Sequence, residues 1–97
     1  MHYMFFGSDA PGSGAIRAAT KAVHSRYLDA AAPGVEILMS GPLLGAEGRE
    51  CGSLMVLRAA AIEPVQAFLR DEPYHQAGLF ETTTLLPWVW KRGNPDA

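Results

Sequence analysis

Apolar residues recur along this chain with two different periods, and each change of period marks an element boundary. Met1 to Phe6 is a dense aromatic and aliphatic run ending at Gly7, which predicts a first strand. Ser8 to Gly14 is turn chemistry, with Ser13 placed to cap a helix. From Ala15 to about Ala32 the spacing becomes helical. Ile16, Ala19, Val23, Tyr27 and Ala30 fall on one stripe, and Pro33-Gly34 stops it. Val35 to Ser40 returns to strand and closes at Gly41-Pro42; Leu43 to Arg49, with two glycines, reads as a loop. Cys51 to Arg58 predicts a third strand. A second helix is expected from Ile62 to about Asp71, burying Ile62, Val65, Phe68 and Leu69 and tolerating Pro64 only within its first turn. Glu72 to Gly78 is a connection with room for one helical turn. Phe80 to Trp90 completes the set, and Pro87 inside it points to a sheet edge or a bulge. Lys91 to Ala97 reads as a frayed tail.

The order is βαββαβ, the split βαβ arrangement of ferredoxin-like α+β folds, in one domain over residues 1–97. The expected architecture is a four-stranded antiparallel sheet with two helices on one face. Successive strand side chains point to opposite faces, so a half-exposed sheet alternates apolar with polar residues. Here both faces are apolar. Tyr3 and Phe5 oppose Met4 and Phe6; Leu54 and Val56 oppose Met55 and Leu57; Leu86, Trp88 and Trp90 oppose Leu85 and Val89. Two helices cover one face only, and the other is too apolar for a lone monomer. A homodimer pairing through that face is the simplest cover.

Composition narrows the function classes. At 97 residues the chain supports one core. A net charge of −2 with no basic run argues against nucleic-acid binding and against a polybasic membrane tether. The first residues lack a charged leader, and no window approaches the ~20 apolar residues of a membrane span, so a cytoplasmic protein is expected. The single Cys51 excludes an internal disulfide framework and a multi-thiolate zinc site, and it reads as a buried structural thiol.

His24 is the side chain with the most chemical promise. It sits mid-helix, off the apolar stripe, with Lys21 three residues before it and Arg17 seven before it, near the same helical face. Two nearby cations disfavour the imidazolium, which leaves a neutral base. A boundary histidine on a solvated face is the plainer reading. Arg17 in a first helical turn and Asp71 and Glu72 at a helix end each oppose the helix macrodipole. Such charges can pair with one another or hold a ligand. Asp9 sits in a turn where it can cap the first helix, and Ser53 follows Gly52 at a strand start. Glu72 and His75 have the spacing of half a di-metal site, but no second copy exists, so no metal is expected.

Several stretches together resemble the YciI-like, or YCII-related, family. They are Asp9-Ala10-Pro11-Gly12, Arg17, His24-Ser25-Arg26-Tyr27-Leu28, Gly41-Pro42-Leu43, Gly52-Ser53-Leu54, Pro73-Tyr74-His75-Gln76-Ala77-Gly78-Leu79-Phe80-Glu81 and Pro87-Trp88. The resemblance implies a dimeric α+β barrel similar to muconolactone isomerase. It also implies a pocket with a histidine and an acid, and one class of members that eliminates chloride from a chlorinated hydroxymuconate. On this chain the histidine is His24. The acid is Glu72, where the family typically has Asp, with Asp71 and Asp9 as alternatives; Lys21 stands where members often carry Arg. The function implied is a lyase or isomerase without cofactor, moving a proton on a small organic acid. Arg17, Lys21, Ser53 and Tyr74 are the expected binding residues for an anionic substrate. The rival readings are a module that binds a small molecule without turnover, and a structural dimer.

Overall fold

The computed structural model describes residues 1–30 and 32–96. Strand β1 (His2–Asp9) is followed by helix α1 (Gly14–Asp29), β2 (Glu36–Leu44) and β3 (Glu50–Arg58). Helix α2 (Ile62–Arg70), the short helix α3 (Pro73–Gln76) and β4 (Phe80–Trp88) complete the chain. The sheet order is β2-β3-β1-β4 with every neighbouring pair antiparallel, the ferredoxin-like arrangement. Among the described residues, no helix is long and apolar enough to cross a membrane.

The two central strands carry the core. Tyr3 and Phe5 of β1 and Met55 and Leu57 of β3 face the helices. Val65 and Phe68 of α2 pack on them, with Ile62 and Leu69 at the margin of the cluster. The stripe expected for α2 is therefore the one it buries, and Pro64 lies within its first turn. Pro87 lies in β4, an edge strand, where its missing N–H costs no ladder bond on the open side.

Three strands end elsewhere than expected. β1 continues through Gly7 to Asp9, with a register shift at Ser8/Asp9. Glycine is required there for space, because a Cβ on Gly7 would lie 2.7 Å from the Phe80 ring. β2 runs on to Leu44, so only a 3-10 turn at Ala46–Gly48 remains of the expected loop. β4 ends at Trp88, two residues early, and Trp88 stacks on Trp90 beyond it.

Only part of the apolar stripe expected for α1 faces inward: Tyr27 packs against the core. Ile16 and Val23 are exposed, and Arg17 is the buried residue of the helix. Ala32 lies beyond the helix, which ends at Asp29 with Ala30 as its C-cap. Ser13 holds the N-cap position, but its hydroxyl donates back to the Ala10 carbonyl and caps no helical N–H. Cys51 is exposed rather than buried, being at the start of β3 beside the Gly45 turn, beyond the cover of the helices.

The sheet face away from the helices carries Met4 and Phe6, Leu54 and Val56, Leu86 and Trp88, and Met39, as the strand registers place them. Phe6, Met39, Leu54, Leu86 and Trp88 are all more than a third exposed.

Candidate active site

The turn between α2 and β4 supplies the acid. Glu72 is in extended backbone as the N-cap of α3, Pro73 occupies the first helical position, and one Glu72 oxygen accepts from the His75 N–H at 3.4 Å. An anion belongs at that position. The expectation that Glu72 opposes a macrodipole at the end of α2 is thus replaced: it begins the next helix. Asp71 is the α2 C-cap and is exposed.

The second Glu72 oxygen meets His24 Nδ1 across 48 residues of sequence. Glu72 is 1% exposed, so a carboxylate removed from water has this imidazole and its own helix cap as partners. Tyr74, two residues on, lies flat against the His24 ring. His24 Nε2 makes no hydrogen bond among the described residues, and His24 lines a cavity of about 280 Å³ between α1, β2 and β3. In the tautomer whose Nδ1–H donates to Glu72, the ring's lone pair sits on Nε2.

Asp9, the third candidate acid, is committed elsewhere. Its two oxygens accept from Arg17 Nε at 2.7 Å and Nη2 at 2.8 Å, a bidentate pair almost wholly removed from solvent. These bonds hold the guanidinium above its ordinary range against the opposing effect of burial. Nη2 also donates to the Ser53 hydroxyl at 3.1 Å, and Arg17 Cζ lies 4.7 Å from the Tyr74 ring centroid. Burial pushes the Tyr74 phenol up, while the Arg17 charge pulls in the other direction.

Arg17, Lys21, His24, Ser53 and Tyr74 all line the cavity, so the fold brings these expected residues together. One residue was not anticipated. Glu50 lines the same cavity, accepts from Lys21 Nζ at 3.2 Å and stands 4.0 Å from Arg17 Nη1. Its partners are 29 and 33 residues away in sequence, and the only local signal is a charge at the head of an apolar strand. Both cations expected to act on His24 are therefore matched by carboxylates.

The profile described as the YCII-related domain matches residues 1–89. The chain belongs to this family. Within the fold's relatives, 5-chloro-2-hydroxyhydroquinone dehydrochlorinase (TftG) from Burkholderia phenoliruptrix AC1100, solved with 2,5-dihydroxybenzoquinone, is 30% identical at a TM-score of 0.83. The match covers 92% of this chain and 94% of that one. The chlorinated compound in that name is a ring rather than the hydroxymuconate that the family resemblance implied. Rv0793 from Mycobacterium tuberculosis, at 15% identity and a TM-score of 0.51 over 94% of this chain and 96% of that one, shares the fold. So does PHS023 from Pyrococcus horikoshii, at 11% identity and 0.51, covering 98% of both chains. No curated protein matches the sequence.

Proposed function

We propose that this YCII-related chain is a lyase-type enzyme in which His24, oriented by Glu72, takes a proton from a small organic molecule in the cavity. The observation that carries the reading is the His24 Nδ1–Glu72 contact at a residue that lines the cavity, which leaves Nε2 free to act as the base. A buried carboxylate on Nδ1 fixes the tautomer and steadies the imidazolium that forms on proton transfer. Tyr74 holds the ring plane, and Ser53 offers a hydroxyl to the ligand from the sheet side.

The TftG likeness supports elimination as the reaction type. Nε2 takes a proton from the substrate, the electron pair left behind moves into the carbon framework, and a leaving group such as chloride departs with its bonding electrons. Proton and chloride leave together, so the step needs no oxidant or reductant. A base held in this way typically contributes about 10²–10⁴-fold. The test is chloride release from 5-chloro-2-hydroxyhydroquinone, with His24→Ala in parallel. The expected result is turnover by the wild type and its loss in the variant, with ligand-induced thermal stabilisation retained in both. A wild type that neither turns over nor is stabilised by any hydroxylated ring overturns the reading.

The exposed apolar sheet face supports a homodimer formed through it, with the two sheets packed face to face.

A further inference from the structure

Two cations line the cavity, the buried Arg17 and the largely exposed Lys21, and each already has a carboxylate. Asp9 grips Arg17 from behind through two short hydrogen bonds. Glu50 faces the cavity itself, bound to Lys21 at 3.2 Å and close to the remaining Arg17 nitrogen at 4.0 Å. Asp29 also lines the cavity, and Glu72 stands behind His24. Two cations thus stand among four carboxylates, of which Asp9 and Glu50 pair with them. A ligand that brings a further negative charge must displace Glu50 from Lys21 or sit beside it, and like charges brought together repel. A hydroxyl has no such conflict. It donates to the Glu50 carboxylate, or accepts from Lys21 or Ser53, with the ion pairs left in place.

We propose that the site selects uncharged hydroxylated molecules over carboxylates, and that Glu50 is the residue that sets this selectivity. The inference rests on the cavity being the ligand site, as proposed above, and it revises the anionic substrate that Arg17 and Lys21 suggest in the sequence. Discrimination arises as much from repulsion of the wrong ligand as from attraction of the right one. Glu50 suits that role better than Asp9. Its side chain is 28% exposed and faces the cavity, whereas the Asp9 side chain is 7% exposed and has both oxygens on Arg17. Removing the Glu50 charge therefore leaves the Arg17–Asp9 pair intact and releases Lys21 toward the ligand.

The experiment compares hydroxyhydroquinone with 2,5-dihydroxybenzoate, a ring of the same size with a carboxylate in place of one hydroxyl. Affinities are measured by calorimetry under nitrogen for the wild type, Glu50→Gln and Lys21→Met. The wild type is expected to bind the uncharged ring at least about tenfold more tightly. Glu50→Gln, which keeps the side-chain shape, narrows that ratio by about tenfold or reverses it; Lys21→Met, which deepens the negative charge, widens it. Equal binding of both rings to the wild type overturns the inference while the site reading stands. So does an unchanged ratio in Glu50→Gln or, should that variant not fold, in Lys21→Met. Absence of binding by either ring to any of the proteins removes the site reading and this inference with it.

Discussion

The Tyr74 ring lies on the His24 imidazole at 3.9 Å between centroids and 18° from parallel. The same ring receives the Arg17 guanidinium at 4.7 Å and meets the Phe80 ring edge-on at 6.2 Å. One buried aromatic side chain thus joins α1, α3 and β4 at the candidate site. Tyr74→Phe preserves the ring and is expected to keep both stability and turnover near the wild type. Tyr74→Ala removes a buried aromatic and is expected to cost about 3–5 kcal/mol, with a further loss of kcat because the imidazole is no longer held in plane. Urea denaturation and steady-state kinetics on the two variants separate the effects.

Glu72→Gln replaces an acceptor by an amide whose NH₂ can turn toward Nδ1. That favours the tautomer with the proton on Nε2, where a base is needed. The expected outcome is a fall in kcat of about 10²–10⁴-fold with ligand affinity largely kept, a pattern that a purely structural acid does not produce. Glu72→Asp keeps the charge but shortens the reach, and should recover part of the rate. Equal activity in all three proteins removes the acid from the mechanism.

Asp9 and Arg17 form a buried pair in which each depends on the other. Asp9→Leu leaves the guanidinium without its main partner and is expected to lower stability by about 3–5 kcal/mol. Arg17→Met added to Asp9→Leu removes the stranded charge and should restore much of that loss, which chemical denaturation of the two variants checks.

Burial raises both Tyr27 and Tyr74 above the ordinary phenol range, and Tyr27 also donates to the Phe68 carbonyl at 2.8 Å. The unfolded chain ionises these groups first, near pH 10. Between the unfolded and folded ranges it binds fewer protons than the native state, so stability falls as pH rises. The loss is complete only once the folded groups ionise as well. Melting temperatures of the wild type and Tyr27→Phe between pH 8 and 11.5 test this, the variant being expected to decline less steeply above pH 10.

Pairing through the open sheet face makes a direct prediction about mass. Light scattering after gel filtration should give about twice the 10.4 kDa of one chain. Leu86→Lys, placing a charge among Met4, Phe6 and Trp88, should shift the protein toward monomer and lower its stability.

Much of the fold is legible in the sequence because strand and helix periods differ sharply there. β3 and α2 match the pattern closely, their partners being apolar and their faces unambiguous. Helix α1 misleads for a physical reason. Its inward side carries the buried Arg17 and the partly buried His24 in its first three turns and Tyr27 and Leu28 only near its end, so Ile16 and Val23 fall on the outer side. Glu72 reads as a misplaced helix-terminal charge because the helix it caps has four residues, too few to display a period. The macrodipole rule flags it only together with Asp71; the resemblance to a family is what matches it to His24. Glu50 could not be found, since Lys21 and Arg17 reach it only after the chain has folded.

Glu72 starts α3 with one oxygen and meets His24 with the other, so a single side chain is at once a piece of backbone architecture and a piece of reagent. Anyone transplanting this chemistry onto another scaffold would therefore need to carry Glu72 through Gln76 as one graft. Lengthening the joint between α2 and α3 by a residue would displace the acid together with its turn. The imidazole would be left pointing at empty space, although every residue type at the site was still present.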